Sequence, residues 1–340
     1  MPCICSWMNN SSESETQNFA FHVGRTVGKY KLQNLIGRGG MAEVYKSVHP
    51  DLGRDIAVKI VYPYFTDEPG FIERFRYEAQ AVASLRHSNI VQVYDFSVTE
   101  DGLYYMVMEY IDGLSLEEYL REYEEPLPLS RTVFIFKQIA EALNFAHQRG
   151  TVHRDVKPFY IIIDAYDRGF LIDYGIAQMV CVSGLTHTGM TPGTPAYMSP
   201  EQIIGKETSS LSDIYSLGVI LYRMMTQRFP YESDNPVTLL MKKTTEPPPS
   251  PRQYNIDIPP AVEEVILKGM AIDPTERYPD AETMSRALQE AAFGYGQQDY
   301  VPLEVDTPAP RTTKSTIFPG RQIDNYKIKE ELTQNEDSAT

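Results

Sequence analysis

Residues 153–158 read His-Arg-Asp-Val-Lys-Pro, and Asp173-Tyr174-Gly175 comes shortly after them. Between the two strings, residues 160–173 (YIIIDAYDRGFLID) have the pattern of a β-hairpin. Gly193-Thr194 and Ser199-Pro200-Glu201 follow in that order. Each short string occurs by chance in many proteins, but the combination does not, because 18 residues separate Asp155 from Asp173 and 28 separate Asp173 from Glu201. The set therefore says more about the fold than any one of its members.

Working outward from these strings, the chain divides into a strand-rich part and a helix-rich part. Short segments rich in β-branched and aromatic residues, typical of strands, are 30–37, 42–49, 55–62, 90–98 and 103–111. Residues 70–86 carry apolar residues at helical spacing. After Asp112-Gly113 the pattern predicts helices over 114–123 and 131–148, and helical patterns continue to about residue 293. The Pro-rich stretch 244–260 is interpreted as a surface loop, since helical patterns resume after it.

Length and composition exclude several classes of protein. The 340 residues fit one large two-lobed domain or two ordinary domains. The net charge of −15 argues against non-specific binding to nucleic acid. Three cysteines in a chain of this size do not make a disulfide framework and favour a reducing compartment. The longest apolar run, 214–222, is too short to span a bilayer, so we expect no membrane span and a cytoplasmic protein.

A Gly-rich segment, residues 36–44 (IGRGGMAEV), lies between two predicted strands. Glycines let backbone N–H groups approach phosphate oxygens without an intervening Cβ. No helix follows at once, and the Walker pattern is absent from the sequence, so neither a dinucleotide fold nor a P-loop is indicated. Downstream, Lys59 lies in an apolar run and needs an anionic partner, for which Glu78 is a candidate; an exposed strand lysine is the alternative.

Together these strings resemble the eukaryotic-like Ser/Thr protein kinases, including the bacterial soluble and membrane-tethered ones. Two further segments, 213–218 and 273–278, are similar to late motifs of that family. The resemblance covers about residues 28–293. It implies an α+β, two-lobed protein-kinase fold with a small strand-rich N-lobe and a larger helical C-lobe. The expected limits are a flexible segment 1–28, an N-lobe 29–109, a hinge 109–113, a C-lobe 114–293 and a disordered Thr- and Pro-containing tail 294–340.

The resemblance also implies an ATP site and a catalytic site. The residues implied to bind ATP are Ile36, Gly37, Arg38, Gly39, Gly40, Val44, Ala57, Lys59, Met108 (the gatekeeper), and Glu109 and Ile111 of the hinge. Lys59 would hold the α- and β-phosphates and pair with Glu78. Asp155 would orient the substrate hydroxyl and accept its proton, Lys157 would neutralise the γ-phosphate, and Asp173 would chelate Mg²⁺.

Further roles follow from the same resemblance. Thr194 would line the pocket for the substrate residue, and together with the Asp-x-Lys spacing it points to Ser/Thr acceptors on protein substrates. Arg154 would be held by a phosphate on the activation loop, where Thr186, Thr188 and Thr191 are candidate autophosphorylation sites; a Thr-rich loop without modification is the alternative. The implied structural residues are Glu201 and Arg277, as an ion pair, and Asp213.

One position departs from the family pattern. The family has a Mg²⁺-binding Asn five residues after the catalytic Asp, and Tyr160 stands there. A neutral phenol is a poor ligand for Mg²⁺, so one metal site is expected and the second is in doubt. Two interpretations stay open: an attenuated Ser/Thr kinase, or a pseudokinase that binds nucleotide and acts as a scaffold or allosteric regulator.

Two other hypotheses concern partners. A purely interacting module without nucleotide is disfavoured by the Gly-rich segment and the Lys59–Glu78 pair. The tail residues Thr307, Thr312, Thr313, Ser315 and Thr316 lie near Pro and basic residues, and they are candidate sites for a phospho-Thr-binding protein. A solvated linker is the alternative for the tail.

Overall fold

The fold is that of a computed structural model of the chain. It describes residues 22–39, 42–63, 71–123, 125–173 and 194–294, and the backbone of 322–323 and 326–327. Several predicted site residues lie outside the described residues: Gly40, Thr186, Thr188 and Thr191, and the side chains of Glu78 and Thr194. The Lys59–Glu78 pair, the predicted phosphorylation sites and the substrate pocket at Thr194 therefore stay predictions, as do the tail sites.

Six antiparallel strands form the sheet of the first lobe, in the order β1-β2-β3-β4-β6-β5. Their bounds are β1 Thr26–Val27, β2 Tyr30–Arg38, β3 Ala42–Val48, β4 Asp55–Val61, β5 Val93–Val98 and β6 Tyr104–Glu109. Strands β2 to β6 overlap the predicted strand segments, whose β-branched and aromatic residues suit a pleated, half-buried surface. Strand β1 lies in the segment predicted to be flexible, and its Val27 is fully buried and pairs with Tyr30.

Strand β4 contributes side chains to both faces of this sheet. Ile56, Val58 and Ile60 belong to the core cluster on one face. Ala57 and Val61 belong to the cluster on the other face, where they meet the apolar side of helix α1 (Phe71–Ala83). Alternate residues of a strand share a face, so Lys59 lies on the α1 side between Ala57 and Val61. The strand thereby carries a lysine into an apolar environment.

The chain enters the second lobe through a short strand. Strand β7 (Gly113–Ser115) pairs with β8 (Ile161–Asp164), which pairs with β9 (Gly169–Leu171). A Cβ on Gly113 would lie 2.3 Å from the carbonyl oxygen of Ile163, so this pairing requires a glycine. The sequence predicted a helix from Leu114, which is wrong for residues 114–115.

The helix begins later because of a capping box. Ser115 Oγ accepts a hydrogen bond from the Glu118 backbone N–H, and the Glu118 carboxylate accepts one from the Ser115 N–H at 3.1 Å. This reciprocal pair satisfies two of the backbone donors that a helix leaves free at its N-terminus. Ser115 therefore ends β7 and starts helix α2 (Leu116–Glu122).

The second lobe is helical. Its remaining helices are α3 Leu129–His147, α4 Thr194–Tyr197, α5 Pro200–Ile203, α6 Ser210–Thr226, α7 Pro236–Thr245, α8 Pro260–Gly269 and α9 Ala281–Phe293. Helix α6 lies at the centre, and 15 of its 17 residues are buried. Such a helix is apolar on nearly every side because other elements surround it. Its apolar side chains and those of α3, α8 and α9 form the largest core cluster.

The connections within this lobe contain three short 3-10 turns: Pro158–Tyr160, Pro251–Gln253 and Pro274–Glu276. The Pro-rich stretch 244–260 joins α7 to α8 through the second of these turns, as a connection inside the lobe. In the tail, the backbone of β10 (Gln322–Ile323) pairs with that of β11 (Tyr326–Lys327). Over the described ranges, no helix combines the length and apolar character needed to cross a bilayer. The strand-rich first lobe and helical second lobe confirm the predicted α+β architecture.

Candidate active site

The loop 153–158 is held by a buried carboxylate of helix α6. Asp213 accepts hydrogen bonds from the backbone N–H groups of His153 and Arg154, both at 2.8 Å. His147 Nε2 lies 2.7 Å from the same carboxylate. Only 1% of Asp213 is exposed, so these bonds act in a low-dielectric interior where each is strengthened. The loop is therefore positioned from the centre of the second lobe, as the sequence predicted for Asp213.

Backbone strain is stored next to the candidate catalytic aspartate. Arg154 has φ = 67°, a left-handed conformation that non-glycine residues rarely adopt. The bonds to Asp213 offset this cost, and the Arg154 carbonyl oxygen also accepts a hydrogen bond from Gln202 Nε2 at 2.7 Å. Such strain persists only where surrounding contacts over-determine the backbone, and it is concentrated at functional sites.

Asp155, Lys157 and Tyr160 form one group. Lys157 Nζ donates to Asp155 Oδ2 at 2.9 Å and lies 4.4 Å from the centre of the Tyr160 ring. The Tyr160 ring is tilted against that of His153 at 6.2 Å between centres. Its backbone is tied at both ends, because Tyr160 N donates to the Lys157 carbonyl and the Tyr160 carbonyl accepts from Ile172 N, each at 2.9 Å. The aromatic ring thus lies beside the candidate catalytic pair.

Lys59 and Asp173 meet across the two lobes. Lys59 Nζ lies 2.5 Å from Asp173 Oδ1, and both side chains are mostly buried. Asp173 follows β9 in a left-handed conformation, with φ = 56°. The structure therefore brings together two predicted phosphate- and metal-site residues that are 114 positions apart in the chain.

A cluster of packed apolar side chains lies next to this pair. Val44, Ala57, Met108 and Ile111, all predicted to contact ATP, belong to one cluster of packed side chains. Ile162 and Ile172 pack against the same cluster, and neither was among the residues predicted to contact ATP. The alternation of β8 could have revealed Ile162, because its neighbours Ile161 and Ile163 are buried on the opposite face.

The described residues of the Gly-rich segment lie at the end of β2 and the start of β3. Gly37 pairs with Val44, and Gly39 N donates to the Ala42 carbonyl at 2.9 Å. Arg38 donates from Nη2 to the buried Glu43 carboxylate at 2.7 Å and from Nε at 3.0 Å. The neighbouring Ile36 is 45% exposed. Glu43 thus partly offsets the Arg38 charge at the edge of the predicted phosphate-binding turn.

The geometry agrees with the comparison to known families. The protein kinase domain model matches residues 30–290 of the chain. The chain belongs to the protein kinase family. Its similar curated relatives include the serine/threonine-protein kinase PrkC of Bacillus subtilis, 40% identical over 270 residues that make up 79% of this chain and 41% of PrkC. The serine/threonine-protein kinase PknA of Mycobacterium tuberculosis is 37% identical over 302 residues, 87% of this chain and 68% of PknA.

Solved kinase domains have the same fold. The PknI kinase domain of Mycobacterium tuberculosis superposes with a TM-score of 0.64 at 26% identity, over 79% of this chain and 99% of that domain. This confirms the predicted two-lobed protein-kinase fold. The chain spans about two fifths of the length of PrkC and of the PknD kinase that it also matches.

Within this kinase domain, Glu201 and Arg277 form a buried bidentate ion pair. Arg277 Nη1 and Nη2 each donate to one Glu201 oxygen at 2.8 Å, and Ser212 Oγ donates to the same carboxylate at 2.7 Å. Burial by itself raises the pKa of the Glu201 carboxyl, but the hydrogen bonds and charge of Arg277 outweigh burial and hold that pKa below its ordinary value. The pair links helix α5 to the turn before α9.

A separate cavity of about 450 Å³ lies on the first lobe between α1 and strands β5 and β6. Arg76, Tyr94, Phe96 and Tyr104 are among the residues that line it. None of its lining residues belongs to the predicted ATP-binding set. The cavity is therefore distinct from the apolar cluster around Met108.

Proposed function

We propose that this protein is a Ser/Thr protein kinase that transfers the γ-phosphate of ATP to Ser and Thr hydroxyls of protein substrates. The observation that carries this proposal is the pairing of Asp155 with Lys157 on a loop held by Asp213, with Lys59 and Asp173 in contact across the lobes. Phosphoryl transfer depends almost entirely on such positioning and charge neutralisation. The names of PrkC and PknA as serine/threonine-protein kinases support the same activity.

The residues take the following roles. The adenine lies among Val44, Ala57, Met108 and Ile111, and the hinge backbone from Glu109 to Ile111 holds its polar edge. Lys59 holds the α- and β-phosphates, and Lys157 neutralises the γ-phosphate. The substrate hydroxyl oxygen forms a bond to the γ-phosphorus while the bond from that phosphorus to the β–γ bridging oxygen breaks. Asp155 accepts the hydroxyl proton, and ADP leaves.

The donor set fits one Mg²⁺ bound together with ATP. Mg²⁺ is usually bound by one or two carboxylates plus substrate phosphates, and Asp173 supplies such a carboxylate. Among the described residues, no three His, Cys, Asp or Glu side chains cluster as a ready metal site, and phosphate oxygens and waters would complete the coordination beside Asp173. The ion would neutralise charge that develops on the β- and γ-phosphates.

Tyr160 attenuates this activity. Its phenol replaces an amide ligand, and its ring lies against Lys157 and His153, so the second Mg²⁺ loses a protein ligand. The specific alternative that Tyr160 favours is a pseudokinase, which binds nucleotide and acts as a scaffold or allosteric regulator. The presence of Lys59, Asp155, Lys157 and Asp173 favours the working enzyme.

Phosphate transfer to dephosphorylated casein separates the two functions. We expect the wild type to exceed Asp155→Asn by about 10²-fold or more, because the variant lacks the group that accepts the proton. We expect Tyr160→Asn to exceed the wild type, because it restores the second ligand. Equal rates for the wild type and Asp155→Asn would establish the pseudokinase instead.

Regulation and location belong to the same proposal. A phosphate on Thr186, Thr188 or Thr191 would add charge and acceptor oxygens that Arg154 can bind. The cytoplasm supplies both the ATP and the reducing conditions that a chain with three cysteines suits. The tail threonines, once phosphorylated, would bind a phospho-Thr-binding protein. Mass spectrometry of the active protein tests the phosphorylation sites, and deletion of residues 295–340 tests the tail.

A further inference from the structure

Lys243, on helix α7, is a fully buried lysine. Its Nζ donates to the carbonyl oxygen of Pro195 at 3.0 Å and to that of Ala196, and it lies 5.2 Å from the centre of the Tyr215 ring. In the described part of the chain, no carboxylate lies within ion-pair distance of this amine. Lysine is almost never fully buried unless it is paired. An apolar side chain would fill this position without that cost, so the two carbonyl contacts need an explanation.

The protonation state of Lys243 does not remove these contacts. Burial lowers the pKa of the Lys243 amine well below its ordinary value, because the charged form loses its hydration. An ammonium group has three N–H donors, and a neutral amine keeps two. Either form can therefore donate to both carbonyl groups. The two hydrogen bonds from Lys243 to residues 195–196, called the tether below, are thus possible in both protonation states.

The segment that Lys243 contacts is held by the second lobe from other sides as well. Ser216 Oγ donates to the Tyr197 carbonyl at 2.9 Å, and Arg223 Nη1 donates to the Tyr197 hydroxyl at 2.5 Å. Arg223 is in turn paired with Glu117 of α2 through a 2.8 Å bond. Among these groups, Lys243 contacts the residues of α4 that lie nearest to Thr194, at which this helix begins. A change in the Lys243 contacts therefore acts on the backbone next to Thr194.

We propose that Lys243 is a positioning residue for the protein acceptor: its two hydrogen bonds fix the backbone of residues 195–196, which directly follows Thr194, the residue that the family resemblance implies for the acceptor pocket. This inference rests on the proposed kinase function. The ATP site lies elsewhere, so the effect of Lys243 is confined to the acceptor. Misplacement of a positioning group by about 1 Å can lower the rate of a reaction 10²-fold. Loss of the two Lys243 hydrogen bonds is therefore sufficient to change the affinity for the acceptor.

The test compares Lys243→Met, which keeps the length of the side chain, with Lys243→Gln, which keeps an N–H donor. With dephosphorylated casein as acceptor, we expect Lys243→Met to raise KM for casein about tenfold and leave KM for ATP within about twofold. Lys243→Gln is expected to lie between Lys243→Met and the wild type. Equal KM values for casein in all three proteins would overturn the inference.

Two control variants separate positioning from packing. Lys242→Met changes the adjacent lysine, whose Nζ donates to the Glu232 carbonyl at 3.2 Å on the outer side of α7. Leu288→Ala opens a cavity under α9 and controls for a general loss of stability. We expect neither to change the ratio of the two KM values. A rise in KM for casein with Leu288→Ala equal to that with Lys243→Met would reduce Lys243 to a structural role and overturn the inference.

A measurement without catalysis keeps the inference independent of the proposed function. Amide hydrogen exchange of a peptide covering residues 194–199 should be about tenfold faster or more in Lys243→Met than in Lys242→Met, because the variant frees this backbone. Unchanged exchange would overturn the tether, whatever the activity. If Lys243→Met does not fold, Lys243→Gln decides by the same measurement. If the wild type transfers no phosphate, the proposed function is overturned instead. The exchange result would still decide whether Lys243 holds the backbone of residues 195–196.

Discussion

Tyr160 lies beside the candidate catalytic pair of Asp155 and Lys157. The family resemblance implies a Mg²⁺-binding Asn at this position, and the chain has an aromatic ring there. The ring lies 4.4 Å from Lys157 Nζ, which is within the range of a cation–π interaction. The ring contact stabilises the position of Lys157, and in the proposed mechanism the missing amide ligand opposes that effect.

The ring and the lost ligand can be separated by substitution. Tyr160→Phe keeps the ring, so we expect kcat close to that of the wild type, whereas Tyr160→Leu removes a cation–π contact of about 0.5–1 kcal/mol and should lower kcat about two- to fivefold. Steady-state phosphorylation of casein at saturating ATP measures both. Equal kcat values for Phe and Leu at this position would show that the ring does not support Lys157.

At the scale of elements, the Glu201–Arg277 pair joins helix α5 to the turn Pro274–Glu276. The Arg277 side chain is fully buried and also donates to the carbonyl groups of Ala271 and Leu211. Loss of one partner of a buried pair costs about 3–5 kcal/mol, because the other charge stays buried without compensation. The folded-state pKa of Glu201 lies below the ordinary 4.5, so its contribution to stability is present above pH 4.5 and is lost as the pH falls through the folded value.

Acid unfolding should therefore depend on Glu201. We expect Glu201→Gln to be less stable than the wild type at pH 7, and its stability should fall less steeply as the pH drops below about 4.5, because it cannot take up the proton. Urea unfolding at several pH values measures both. Glu276→Gln, at an exposed neighbour, is the control and should follow the wild type. Parallel slopes for Glu201→Gln and the wild type would contradict the assignment.

At the scale of the whole molecule, the two lobes meet at the Lys59–Asp173 contact and at a bridge between Ile90 and Leu171. The chain also carries its net charge in the folded body, since residues 30–293 account for −12 of the −15. A triphosphate in the cleft between the lobes adds further negative charge. The proposed function therefore requires Lys59, Lys157 and Mg²⁺ to offset this repulsion when nucleotide binds.

Nucleotide binding should stabilise the whole domain. At an ATP concentration about one hundred times Kd, with Mg²⁺ present, the linkage predicts about 2.7 kcal/mol of added stability. We expect a smaller thermal shift when EDTA removes Mg²⁺, and little shift in Lys59→Met, which loses the phosphate contact. Thermal unfolding with and without Mg²⁺ measures this. An equal shift in Lys59→Met and the wild type would contradict the role of Lys59.

The sequence was sufficient to predict the fold, while the roles of the candidate site residues stay predictions. The order of the motifs predicted the fold, because residues such as Asp155, Asp173 and Glu201 occur at the spacings typical of the protein-kinase fold. Strands β2 to β6 were predictable from local composition, since their alternation and β-branched residues reflect the pleated surface on which they pack. The predicted start of α2 was wrong, because Leu114 and Ser115 pair with Ile163 and Ile162 of β8 and so belong to β7.

Only the tertiary structure decided what surrounds these residues. That Tyr160 lies against Lys157, that Ile162 joins Met108, and that Lys243 reaches the carbonyl groups of Pro195 and Ala196 depends on contacts between distant parts of the chain. A sequence pattern records periodicity and local preference, whereas burial and hydrogen-bond partners arise when separate elements pack together. By itself, the sequence determined that this chain is a two-lobed kinase domain, because the order and spacing of its motifs are specific to that fold. The tertiary structure decided that Lys243 of α7 contacts residues 195–196, because packing of the second lobe brings the buried amine of Lys243 to the carbonyl groups of Pro195 and Ala196.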